Sequence, residues 1–186
     1  MIETEEAVRR FLEGEEEAFG PIVRRWEKKI FSLAWRMVGN REDAQDIVQE
    51  TFLSVFKSIR SLRDPGSFST WLYQIALNHC RARRRRSPGA QLSLNGSRVD
   101  QTEEGAPFSE IPALERGDSL ETRDIILKAL SGLSEDQRSA IVLKEYVGLS
   151  LEELAGVMEC PLSTAKSRLY HGLREVQRNL KRLGIK

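Results

Sequence analysis

The residues best equipped to act on another molecule lie close to the C-terminus. At about 100° per residue, Ser163, Ser167, His171, Arg174 and Arg178 fall on one side of the segment 163–183. Thr164, Lys166, Arg168 and Tyr170 flank them. Hydroxyls bond base edges or phosphates, and Lys and Arg reach guanine acceptors or the DNA backbone. A helix entering a major groove tip first needs this combination in its opening turns. The other side carries Ala165, Leu169, Gly172, Leu173, Val176, Leu180 and Leu183 and must pack against something. An ordinary bundle helix with a solvated face would show the same period. The preceding residues weigh against that: a Ser150…Glu153 capping box, a short helix over 151–158 and a tight Glu159-Cys160-Pro161 turn. Together they have the form of a helix-turn-helix.

A second surface is expected on a helix from about Phe68 to Arg86. Phe68, Trp71 and Tyr73 stand near its start, and Arg81, Arg83, Arg84, Arg85 and Arg86 near its end. Rings on which bases stack, next to cations that follow phosphates, suit single-stranded nucleic acid. Taken singly the aromatics read more readily as core, with Trp71 and Ile75 on one face. The Arg cluster is harder to dismiss, because crowded like charges favour a polyanionic partner. A third surface lies opposite the apolar stripe of the helix beginning near Asp43. There Asp43, Asp46, Gln49 and Glu50 surround an outward Leu53, the pattern of a protein-docking patch.

Catalytic chemistry finds no footing. No phosphate-cradling glycine loop and no GxSxG elbow occur. His79 beside Cys80, and His171 after Cys160, match no zinc spacing. His79 and both cysteines read as packed side chains. No catalytic residue, metal or cofactor is expected.

The elements that must position these surfaces are helical throughout. Ala18, Ile22, Trp26, Ile30, Ala34 and Met37 form one stripe, ended by Gly39-Asn40, with Pro21 implying a break or late start. Asn40 followed by Asp43 reads as a cap. Ala44, Ile47, Val48, Thr51, Phe52, Val55 and Ile59 make the next amphipathic face, and Arg63-Asp64-Pro65-Gly66 the turn after it. Ser134…Gln137 is a further capping box, and Gly148 ends the helix it opens.

Charge divides the 186 residues into three parts. The net +1 conceals +3 over 1–87 (16 basic, 13 acidic), −4 over 88–118 (two basic, six acidic) and +2 over 119–186 (11 basic, nine acidic). The middle part holds three of the six prolines and four of the 13 glycines, shows no sustained period and reads as a flexible linker. No apolar run approaches the ~20 residues of a membrane span. The acidic N-terminus is unlike a signal peptide, and two cysteines make no disulfide framework. A soluble protein of a reducing compartment is expected.

DAQDIVQETFLSVF (43–56), FSTWLYQIALN (68–78) and LSEDQRSAIVLKEYVGLSLEELAGVMECPLSTAKSRL (133–169) together resemble bacterial RNA polymerase sigma factors of the extracytoplasmic-function (ECF) group. The resemblance implies an all-α fold of two small domains: a sigma region 2-like bundle over 1–87 and a sigma region 4-like helix-turn-helix over 119–186, joined by the linker 88–118. It implies that Asp43, Asp46, Gln49, Glu50 and Leu53 dock on core RNA polymerase. The segment 61–86 would open and read the minus-ten element. A base would be captured by the loop from Arg63 through Asp64 to Ser67, and the strand held by Asn78, Arg81, Arg83, Arg84 and Arg85. The helix from Ser163 would read the minus-thirty-five element. The linker would thread toward the polymerase active site as a nucleic-acid mimic, or act only as a tether. An anti-sigma partner and a place in the bacterial cytoplasm are further implications. Two departures stand out: Ser163-Thr164-Ala165 replaces the usual Gly-Thr-Val, and His171-Gly172-Leu173 stands where arginines often continue. The competing reading is a self-sufficient helix-turn-helix regulator binding an operator as a dimer, although no dimerisation helix is evident.

Overall fold

A computed structural model of the chain describes residues 4–86 and 120–185, and every regular element among them is helical. The first unit contains α1 (Thr4–Leu12), α2 (Phe19–Val38), α3 (Arg41–Ser58) and α4 (Phe68–Arg86). The second contains α5 (Leu120–Ser131), α6 (Glu135–Ile141), a π-helical stretch (Val142–Val147), α7 (Leu151–Val157) and α8 (Leu162–Arg182). The linker expected over 88–118 lies outside the described residues.

Local chemistry explains where these helices start and stop. Pro21 does not break α2: it sits in the first turn, where a missing N–H costs nothing, and a 3₁₀ turn over Glu16–Ala18 leads in. Gly39, at φ 76°, closes α2 in the left-handed conformation. The Asn40 side chain then caps α3 by accepting from the Asp43 N–H at 3.1 Å. Asp64 caps the short Pro65–Ser67 turn ahead of α4, accepting from the Gly66 N–H at 3.0 Å. Ser134 and Ser150 form reciprocal capping boxes with Gln137 and Glu153.

The α2 stripe of Ile22, Trp26, Ile30, Ala34 and Met37 is buried against the inner face of α3, which contributes Ala44, Ile47, Val48, Thr51, Phe52 and Val55. Trp26 meets Tyr73 and Phe68 of α4 edge-on, with ring centroids 5.6 and 6.1 Å apart. In the second unit α6 and α7 pack on α8.

The two units also pack on each other, α7 against α4 and the π-helical stretch against α2. Arg138 of α6 crosses this junction fully buried. Its guanidinium donates to the carbonyls of Met37 (3.1 Å), at the end of α2, and of Leu130 (2.7 Å), in α5. Burial, with Arg84 nearby, pushes its pKa down to about 10. Arg36 of α2 lies over the Tyr146 ring at 4.1 Å.

Candidate nucleic-acid and protein interfaces

The outer face of α3 is built by default: its other face is consumed by the core, so whatever alternates with those residues must meet solvent. Leu53 is 60 % exposed and Phe56, one turn on, is 44 % exposed. Phe56 also seats edge-on against Phe11 and Phe19, at 5.6 and 5.1 Å, which fixes the apolar half of the patch. Asp46 and Gln49 are exposed, while Asp43 and Glu50 are half-buried. The acids are engaged by one residue that the sequence assigned to DNA. The Arg83 guanidinium reaches Asp43 at 2.6 Å, Asp46 at 3.2 Å and Glu50 at 3.4 Å. Partial burial lowers its pKa, but the hydrogen bonds to Asp43 and Asp46 outweigh that and hold it above the ordinary value. His79 completes the arrangement, between Glu50 (3.2 Å) and the Ser54 hydroxyl (3.0 Å). Arg83 is therefore half-buried and paired with α3, not a free cation for a DNA strand.

On α4 the aromatic expectation needs correction. Phe68 and Tyr73 are buried in the core, where no base can stack on them, and burial pushes the Tyr73 phenol up to about 12. Both lie on the face that must cover Trp26, and helix periodicity decides the matter over residue type. Trp71 stays half-buried, 6.2 Å from Phe68. Arg63, Asp64 and Ser67 are exposed on the preceding turn, with the Ser67 hydroxyl donating to the Asp64 carbonyl at 2.7 Å. Asn78 and Arg85 are exposed. Arg84 donates to the Met37 carbonyl at 2.9 Å, and Arg81 pairs with Glu135 and Asp136 of α6 at 3.4 and 3.1 Å.

The opening turns of α8 present the expected face. Ser163, Lys166, Ser167, Tyr170, His171, Arg174 and Arg178 are exposed, Tyr170 by 60 %. Arg178 pairs with Glu175 at 2.9 Å. Thr164 and Arg168 are half-buried, and Arg168 pairs with Asp136 at 2.7 Å. Glu159, at φ 49°, makes the left-handed turn that ends α7 and re-aims the chain. Ala165, Leu169 and Gly172 form the packed side, and the Asn179 amide donates to the Ala129 carbonyl at 3.0 Å, pinning α8 to α5. Leu183, expected on the packed side, is largely exposed past the end of the helix.

Sequence reasoning missed Glu135, Asp136 and Arg138. Their positions in a capping box and its first turns account for Glu135 and Asp136 locally, and no spacing in the chain signals a partner on α4.

Set beside known proteins, residues 22–88 match the family described as Sigma-70 region 2, and residues 123–176 the family described as Sigma-70, region 4. The ECF RNA polymerase sigma-E factor of Escherichia coli K12 is 36 % identical over 168 residues, spanning 88 % of this chain and 86 % of that one. The RNA polymerase sigma-H factor of Pseudomonas aeruginosa is 32 % identical over 185 residues, 96 % and 94 % of the two chains. Among solved structures, the sigma factor RpoE of Bartonella quintana, held in a complex with the anti-sigma factor NepR, aligns with a TM-score of 0.65 at 26 % identity. It covers 88 % of this chain and 96 % of its own. CnrH, in complex with the cytosolic domain of CnrY, shares the fold at a TM-score of 0.69 and 22 % identity, over 96 % and 97 % of the chains. Both regions occur in order, and the relatives align along most of their own length; this chain belongs to the ECF group of RNA polymerase sigma factors.

Proposed function

We propose that this sigma factor docks on core RNA polymerase through the outer face of α3, with Asp46, Gln49 and Leu53 in contact and Asp43 and Glu50 beside them. The turn from Arg63 to Ser67, with Asn78 and Arg85, opens and reads the minus-ten element. The exposed side of α8 reads the minus-thirty-five element in the major groove. The role is noncatalytic: sequence recognition is conferred on an enzyme that supplies the chemistry. The domain limits are 1–87 and 119–186, and the protein works in the bacterial cytoplasm. Among the described residues no helix is long and apolar enough to cross a membrane. That a relative is held by an anti-sigma factor supports a partner of that kind here.

The observation that carries the DNA-reading role is the split of α8. Its inner side is locked by Ala165, Leu169 and Gly172, while hydroxyls and cations of its first turns stand in solvent. Each domain alone offers few phosphate contacts, so free protein binds DNA weakly and polymerase supplies effective concentration.

Transcription with purified core polymerase tests the reading: added chain should yield transcripts from fixed start sites on selected genomic templates. Lys166→Ala and Arg174→Ala should weaken use of the upstream element with polymerase binding intact. Loss of polymerase association in those variants would reverse the assignment of the two surfaces. Operator binding by a dimer, without any effect of polymerase, would replace it altogether.

A further inference from the structure

The acids on the outer face of α3 are not independent of one another. Asp43, Asp46 and Glu50 follow at spacings of three and four residues, so each is the helical neighbour of the next, and like charges at those spacings repel. Left to themselves they would turn apart into separate rotamers. The fold instead sets one guanidinium of α4 among them. Arg83 Nη1 donates to Asp43 Oδ1 at 2.6 Å, and Nη1 and Nη2 both donate to Asp46 Oδ2, at 3.2 and 3.3 Å. Nη2 also reaches Glu50 Oε1 at 3.4 Å. Glu50 is held from a second direction, its Oε2 lying 3.2 Å from His79 Nδ1, while His79 Nε2 lies 3.0 Å from the Ser54 hydroxyl. His79 and Arg83 stand one turn apart on α4, and together they grip the acidic stripe of α3.

The three acids end in different states. Both oxygens of Glu50 are engaged within the chain, and the Asp43 side chain is only 29 % exposed. Asp46 takes both of its hydrogen bonds from Arg83 on one oxygen and keeps 57 % of its side chain in solvent, the most of the three. It stands two turns before Leu53 on the same face. A partner therefore meets one available carboxylate, fixed in place, next to an outward apolar side chain. Three carboxylates around a single guanidinium also leave the cluster net negative. That field attracts a cationic surface and repels a phosphate, so Arg83 is poorly placed to serve a DNA strand.

We propose that Arg83 is a positioning residue for polymerase docking: it fixes Asp46 in the rotamer that pairs with a cationic group on core polymerase, and Glu50 braces it from inside the chain. The inference rests on the reading of α3 as the docking face and divides the work among its acids. Asp46 makes the contact, while Asp43 and Glu50 hold the guanidinium that aims it. The planar fork matters, because a lysine ammonium is a single point that cannot span three carboxylates.

The dissociation rate of the full-length chain from core polymerase tests the role, because a complex already formed contains only folded chain and a mere loss of stability leaves that rate alone. Arg83→Met should raise it about threefold to tenfold, the effect of a contact side chain that binding must now order for itself. Arg83→Lys, which keeps the charge without the fork, should fall between Arg83→Met and the wild type. In an Asp46→Ala background Arg83→Met should change the rate by less than about twofold, since no aimed carboxylate is left to lose. Equal effects of Arg83→Met in both backgrounds overturn the proposal. So does an unchanged dissociation rate with slower promoter opening, which would return Arg83 to the DNA strand. Leu53→Asp, measured alongside, separates the two readings. A complex that survives Leu53→Asp sinks the docking face itself, whereas a complex lost in Leu53→Asp but unaltered in Arg83→Met sinks the positioning role alone.

Discussion

Cys80 stands among guanidiniums, and both Arg81 and Arg84 pull its pKa down, yet burial outweighs them and pushes the thiol from 9.0 up to about 12. Such a thiol is a packed hydrophobe and not a nucleophile. Alkylation at pH 8 should therefore modify Cys160, which is half-buried, and reach Cys80 only in denaturant. The shift has a stability consequence. Above about 9 the unfolded thiol releases its proton while the folded one keeps it, so the folded state binds more protons and loses stability as pH rises, by up to about 1.4 kcal/mol per unit. Tyr73, raised to about 12, deepens the loss from about pH 10, and Arg138, lowered to about 10, opposes it, so the thiol's share is the part of the slope in the 9–10 window that Cys80→Ala removes. Urea titrations across that window should show a slope in the wild type that Cys80→Ala flattens. At the same scale, Leu53→Asp places a charge at the centre of the proposed docking face and should abolish polymerase association without altering helix content. A variant that still forms the complex in a pull-down would remove α3 from the interface.

At the scale of elements, Gly172 explains one of the departures from the family's reading helix. A Cβ there would lie 2.8 Å from the Ile141 Cδ1, 3.2 Å from the Gln137 Cβ and 3.3 Å from the Gln137 carbonyl oxygen. The close approach of α6 and α8 needs a residue without a side chain. Gly172→Ala should destabilise the chain by about 1–3 kcal/mol, the usual cost of overpacking, visible as a lower thermal midpoint; an unchanged midpoint would show that the helices can spread. Helix ends were the most legible part of the sequence. Asn40, Ser134 and Ser150 act on N–H groups within three residues, so their effect depends on little beyond the local backbone. The aromatics of α4 were less legible: ring type suits base stacking and core packing alike, and the choice depends on what lies across the bundle, where Trp26 meets both Phe68 and Tyr73.

Over the whole molecule the decisive side chains are arginines. Five in α4 looked like one cationic surface, but the fold gives Arg83 to α3, Arg84 to the end of α2, Arg81 to α6, and leaves Arg85 and Arg86 exposed. Arg138 ties the second unit to the first through the Met37 carbonyl. Arg138→Leu removes that tie; the Met37 carbonyl keeps the Arg84 donor, so the cost is that of the lost hydrogen bonds to a charged group, about 1.5–3 kcal/mol. Calorimetry should then resolve two melting transitions where the wild type shows one; a single transition in the variant would mean that apolar contacts alone couple the units.

Periodicity, caps and turn residues act over a few positions, and from them the sequence alone determined a helical chain with a helix-turn-helix at its end, an exposed face of hydroxyls and cations on α8 and an outward Leu53. Which charges remain available was decided only in three dimensions. Arg83 meets Asp43 across 40 positions of chain and Glu50 across 33, and Asp136 meets Arg81 across 55. Electrostatic pairing depends on distance in space, and no local pattern encodes that.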